Sequence, residues 1–189
     1  MKWVLIALGL VIVGDLLWLA WAYNRLVRAR NQMKEGWSGI EVQLKRRHDL
    51  VPALVECVRG YQQHERELLE AVTRERREAQ AAVGAAQAGG AETRLGHDLG
   101  KVVALAEAYP DLKADGQFRK LMAELVETED QLQYARRYYN GSVRELNNLI
   151  EGFPSNLVAR SFRFTPGDFF EVESASERLA VDLKDKLGG

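Results

Sequence analysis

Apolar positions follow two rhythms along the first part of the chain. From Trp3 to Ala22 the residues WVLIALGLVIVGDLLWLAWA are apolar all round, with Asp15 as the one charge among twenty residues. From Tyr23 onward, alternating steps of three and four pick out Tyr23, Leu26, Arg30, Met33, Trp37, Ile40, Leu44, Arg47, Val51, Leu54, Val58, Tyr61, Glu65, Leu68 and Val72. That is the spacing of one helix face. At helical rise the run would be about 75 Å long, more than a compact domain needs. The pattern therefore predicts a helical stalk rising from an apolar segment. Pro52 should kink it, since proline lacks the N–H and its ring crowds the preceding turn.

Beyond Val72 the polar helix-compatible stretch to Gln80 gives way to AAVGAAQAGGAE, whose Gly89-Gly90 predicts the first chain reversal. Leu95, Leu99, Val102, Ala106 and Tyr109 restore the helical period, with Glu92 and Thr93 at its start and Pro110 at its end. Asp115 is placed to cap the next helix, whose stripe runs Phe118, Leu121, Met122, Leu125, Leu132, Ala135, Tyr139, Val143, Leu146, Leu149 and Ile150. Gly152-Phe153-Pro154 closes it. Phe153, Phe162, Phe164, Phe169 and Phe170 then crowd eighteen residues. Left in water they would be an aggregation hazard, so they are expected to fold back as a plug on the bundle.

The fold class expected is all-α: a transmembrane helix over 1–22, an antiparallel up-and-down helical bundle over 23–170, elongated along the stalk, and an acidic tail over 171–189. Long apolar-striped helices joined by short connections pack as antiparallel neighbours.

The apolar run has the length of a bilayer core. Trp3 at one end and Trp18, Trp21 and Tyr23 at the other fit the aromatic belts of a span. Arg25, Arg28, Arg30 and Lys34 follow the second end, against Lys2 at the first, which predicts an outside N-terminus and a cytoplasmic bundle. Arg25 and Arg28 are near enough to meet lipid headgroups. A secretory signal cut after Ala20-Trp21-Ala22 is the competing reading; the apolar run is long for one and the helical period continues through the cut site. Asp15 is costly in mid-span and is expected to face another helix or a headgroup defect or to serve a protonation role, the plainer reading being a tolerated charge relieved by water or snorkelling.

Charge is nearly balanced, 26 basic against 27 acidic residues, so a globally basic nucleic-acid surface is absent. Cys57 is the sole cysteine, which excludes an intrachain disulfide and a thiolate metal cluster. His48, His64 and His97 lack the spacing of a helical zinc site, and Ser142 sits in no nucleophile elbow. No cofactor or metal is expected. Polar residues inside the apolar seams are more informative. Arg47 and Glu65 interrupt the stalk's seam, and Glu129, Arg136, Asn140 and Asn147 lie seven, four and seven apart near one line of the last long helix. Buried charges must be paired or wet, so these residues form either a candidate polar network between the stalk and the last helix, with Glu129 and Arg136 as the charged pair, or a solvated stripe at the edge of the core.

Five ordered blocks carry a family resemblance: YNRLVRARN at 23–31, GWSGIEVQLKRRHDLVPALVECVRGYQQHERELLEAVT at 36–73, EAYPDLKAD at 107–115, TEDQLQYARRYYNGSVRELN at 128–147 and FPSNLVA at 153–159. They resemble the LemA family over nearly everything after the apolar run. The resemblance implies a bacterial inner-membrane protein with one N-terminal span and an antiparallel bundle. It supplies no catalytic residue and no substrate. Asp15 and the Gly-Gly segment depart from the usual pattern. The expected function is a noncatalytic membrane-anchored scaffold whose partners are the lipid bilayer and another protein or a second copy. The alternative is a sensor or enzyme-like bundle holding a ligand at the Arg136, Asn140 and Asn147 stripe.

Overall fold

The computed structural model describes residues 1–61 and 66–171. Among these the regular structure is helical throughout: α1 (Lys2–Tyr61), α2 (Arg66–Ala81), α3 (Gly84–Glu107), α4 (Pro110–Ala114), α5 (Gly116–Glu151) and α6 (Ser155–Ser161). The fold is an all-α bundle with a long apolar helix at its N-terminus. The expected seam from Tyr23 to Val72 is shared by two helices, α1 and α2, rather than one. Its member Glu65, together with His64 and the acidic tail from residue 172 on, lies outside the described residues.

The chain groups into two compact units. One contains residues 1–36 and 138–168; the other contains 37–137 and the segment that begins at Phe169.

In the second unit, Val51, Leu54, Val55 and Val58 of α1 pack with Leu69 and Val72 of α2, Leu95, Leu99 and Val102 of α3, Leu112 of α4 and Phe118, Met122 and Leu125 of α5. Each fully buried aliphatic side chain contributes about 1.5–3 kcal/mol, so this layer dominates the unit's stability. Pro52 lies on the exposed side of α1, and the helix runs through it. Without an N–H, Pro52 leaves the carbonyl of His48, four residues earlier, without its helical donor. The Arg76 Nε–H of α2 donates to that oxygen at 2.6 Å. An interhelical bond thus replaces the intrahelical one.

The predicted reversal at Gly89-Gly90 is corrected by the structure. The chain turns at Ala82-Val83, Gly84 takes a left-handed φ of 79° there, and both glycines lie inside α3. Helical continuity is favoured because Ala85, Ala88 and Ala91 are all buried on one face. Gly89 has a steric role: a Cβ at that position would run into the Glu171 carbonyl oxygen. At the start of α5, Asp115 Oδ1 accepts the Phe118 N–H at 2.8 Å, the cap expected from the sequence.

In the first unit, Ala22, Leu26 and Ala29 of α1 pack with Leu146 and Leu149 of α5 and with Val158, Ala159 and Phe164 from α6 and its C-terminal extension. The close contact of Gly36 with Tyr139, where a Cβ would stand 3.0 Å from the Tyr139 Cα, shows that α1 and α5 run antiparallel here: descending α1 from Gly36 to Ala22 accompanies ascending α5 from Tyr139 to Leu149. The segment after α6 is tied back by Tyr139, whose hydroxyl donates to the Asp168 carbonyl at 2.8 Å.

The aromatic plug forms only in part. Phe164 and Phe170 are buried, Phe169 is about a third exposed, and Phe153 and Phe162 are exposed. Within the first unit Phe162 and Phe164 meet the Tyr23 ring at centroid distances of 4.8 and 6.0 Å. Within the second, Phe170 meets Trp37 edge-on at 5.9 Å. The rings clustered in sequence are divided between the two units, Phe162 and Phe164 in the first and Phe169 and Phe170 in the second.

Candidate functional site

The densest polar chemistry in the described residues is a buried ionic cluster in the second unit. Arg47 and His48 enter it from α1, Glu92 from α3 and Glu129 from α5. Arg47 has no exposed surface at all, and its Nη1 donates to Glu92 Oε2 at 3.1 Å. Its Nε stands 2.8 Å from Glu129 Oε1, an ion-pair contact that lacks the alignment of a good hydrogen bond. Glu92 Oε1 meets His48 Nε2 at 2.7 Å. Three helices are thereby joined through one guanidinium.

The register explains why these residues converge. Arg47 lies on the buried face of α1 between Leu44 and Val51, and Glu92 on that of α3 with Ala88 and Leu95. Glu129 follows Leu125 on α5 at helical spacing. Burial pushes the Glu129 carboxyl above the ordinary carboxylate range; Arg47 pulls it down, and Glu92 and Asp130 push further up. The two carboxylates share one guanidinium, and Glu129 is held by the less aligned contact.

That raised value has a pH consequence with a definite sign. A carboxyl that binds its proton more tightly in the folded chain stabilises the fold fully below its unfolded pKa, and that contribution is lost as pH rises through the folded value. Glu129→Gln, which keeps the neutral shape, should therefore gain stability relative to the parent as pH climbs from the ordinary carboxylate value of 4.5 through the raised one. Melting curves of the two full-length proteins across pH check this. Curves that stay parallel would show that Glu129 does not titrate in that window.

In the first unit, the Asn147 side chain clasps one glycine: its Nδ2 donates to the Gly167 carbonyl at 3.0 Å and its Oδ1 accepts the Gly167 N–H at 2.9 Å. An open groove of about 580 Å³ is bordered by Arg25, Arg144, Glu145, Asn148, Phe153 and Ser155, among others. Cys57 is half-buried, and burial, Asp115 and Glu56 all push its thiol up, away from the thiolate form that nucleophiles need. Among the described residues, no group of three His, Cys, Asp or Glu side chains is arranged to hold a metal ion.

The sequence model of the LemA family matches residues 36–184, most of the chain. The chain belongs to the LemA family. A LemA protein of Metamycoplasma hominis is 26% identical over 163 residues, covering 86% of this chain and 74% of its own. Magnetosome protein MamQ 2 of Paramagnetospirillum magneticum is 30% identical over 88 residues, 47% of this chain. Magnetosome protein MamQ of Magnetospirillum gryphiswaldense is 27% identical over a stretch of the same length. The chain spans only 32% of the length of these magnetosome relatives.

In this LemA-family chain the described residues of the expected polar network are divided between the two units, Arg47, Glu129 and Arg136 in the second and Asn140 and Asn147 in the first. Arg47 and Glu129 do meet. The Glu129 carboxylate meets Arg47 of α1, and Arg136 stands two turns further along α5. Arg136 and Asn140 are half-buried further along α5, Asn147 holds Gly167, and Glu65 is outside the described residues. Arg25, Arg28 and Asp15 are exposed on α1. Glu92 and His48 were missed. Glu92 was legible only once the glycines were admitted into α3, when it falls in line with Ala85, Ala88, Leu95 and Leu99.

Proposed function

We propose that the protein is a noncatalytic, membrane-anchored interaction protein of the LemA family. One observation carries this reading. The apolar run of α1 is left uncovered by the protein, yet the same helix is packed into the first unit's core from Ala22 onward. A helix exposed over the length of a bilayer core and buried immediately afterwards is suited to a span that holds a folded domain at the membrane. Burial of Arg47, Glu92 and Glu129 in apolar surroundings supports a structural use of that cluster, since each charge is answered within the protein.

The ligand-binding alternative receives less support. The stripe of Arg136, Asn140 and Asn147 does not line the groove of the first unit, and both polar atoms of Asn147 are taken by Gly167. We further infer a bacterial inner-membrane location with the N-terminus outside, from the basic residues Arg25, Arg28, Arg30 and Lys34 that follow the span. Lysine cross-linking in intact cells tests both parts. A membrane-permeant reagent should capture a protein partner or a second copy, whereas an impermeant one should leave Lys45, Lys113 and Lys120 unmodified. Capture of monomer alone would defeat the interaction reading. Modification by the impermeant reagent would reverse the orientation.

A further inference from the structure

The end of α5 and the turn into α6 stand at a specific level of α1. Gly36 lies beside Tyr139 in an antiparallel pair. Both helices rise by the same amount per residue, so twelve residues along from Tyr139 and twelve back from Gly36 are level with each other: Glu151, the last residue of α5, and Asn24, two residues past the apolar run that ends at Ala22. The shared core of Ala22 and Leu26 with Leu149 and Val158 fixes the same level independently. Here Phe153 is 82% exposed, Leu157 57% and Phe162 52%, with Phe162 against Tyr23. Three large apolar side chains exposed between residues 153 and 162 are more than the scattered single exposure of an ordinary soluble surface.

Charge on this surface is of a matching kind. Arg25 lies over the Trp21 ring at 5.5 Å, and with Arg144 it borders the groove beside Phe153. Arg160 is exposed at the end of α6. Glu145 and Glu151 are the acidic residues nearby, both exposed. Apolar rings level with the end of a span, flanked by arginines, are what the lipid interface favours, because the rings enter the acyl boundary while the guanidinium groups meet phosphate.

We propose that the α5–α6 turn is a second membrane contact, in which Phe153, Leu157 and Phe162 enter the phospholipid headgroup region beside the span, and Arg25 and Arg144 face lipid phosphates. It rests on the reading that residues 3–22 cross the bilayer. The contact fixes how the first unit stands on the membrane, which a lone span leaves free to rotate.

The experiment is spin-label depth measurement on the full chain in vesicles of equal parts phosphatidylcholine and phosphatidylglycerol. Single labels are placed by Phe153→Cys, Leu157→Cys and, as controls, Leu10→Cys and Tyr134→Cys, all in a Cys57→Ala background that keeps its helical circular dichroism. Labels at 153 and 157 should report a depth of about 5–10 Å into the headgroup–acyl boundary, Leu10→Cys the acyl interior and Tyr134→Cys water. Water-exposed labels at 153 and 157 with Leu10→Cys in lipid would overturn the second contact and leave the span standing. Labels at 153 and 157 shielded from both lipid and water would also overturn it, by revealing a protein cover. Leu10→Cys in water would instead refute the span on which the inference rests.

Discussion

Arg47→Leu should destabilise the protein by about 3–5 kcal/mol, the cost typical of removing one partner from a buried ion pair. Leucine keeps an apolar side chain at the buried position but removes the guanidinium, so the main loss is electrostatic: Glu92 and Glu129 would remain inside the second unit without their shared cation. Two controls isolate that cause. The loss should shrink as pH falls through the raised Glu129 value, below which that carboxyl is neutral. It should also be largely recovered in Arg47→Leu combined with Glu92→Leu and Glu129→Leu, because exchanging a whole buried cluster for apolar residues is often neutral or better. Chemical denaturation of the full chain in mild detergent, followed by circular dichroism, measures all three. A single-mutant loss under about 1 kcal/mol would place Arg47 with surface substitutions and contradict its burial.

Phe170→Ala should cost about 3–5 kcal/mol, the range for truncating a fully buried phenylalanine. Phe170 has no exposed surface and its ring meets Trp37 edge-on. The adjacent Phe169→Ala is the internal comparison: about a third of that residue is already in water, so its loss should be clearly smaller. The same denaturation experiment reads both, and a change in Trp37 environment should accompany the first alone. Equal effects at the two positions would mean that the segment is held by something other than the Phe170 ring.

Much of the fold was legible because helical periodicity survives local interruption. The seam predicted Leu26, Ile40, Leu44, Val51, Leu54 and Val58 as a buried face, and all six are buried. Asp115 was legible as a cap because its chemistry is local, one carboxylate reaching an N–H three residues on. Gly89-Gly90 misled because its reason for being glycine is not local: the neighbour that excludes a Cβ is Glu171, more than eighty residues away. The ionic cluster was half legible for a related cause. A charge on an apolar seam announces that it needs a partner, as Arg47 and Glu129 do, but spacing along one helix cannot say which neighbouring helix supplies it. The phenylalanines failed in the opposite direction, since composition alone argued for burial and a position beside a span can leave rings exposed.

Pro52 carries a consequence for how the middle of α1 unfolds. In an isolated helix the His48 carbonyl would have only solvent to bond; in the folded protein its donor belongs to α2. Local opening of α2 therefore strips α1 of a hydrogen bond as well as of apolar cover. The proline ties the fraying of one helix to the detachment of another, and so raises the cooperativity of the second unit at a point where a continuous backbone ladder would have let the two helices loosen separately.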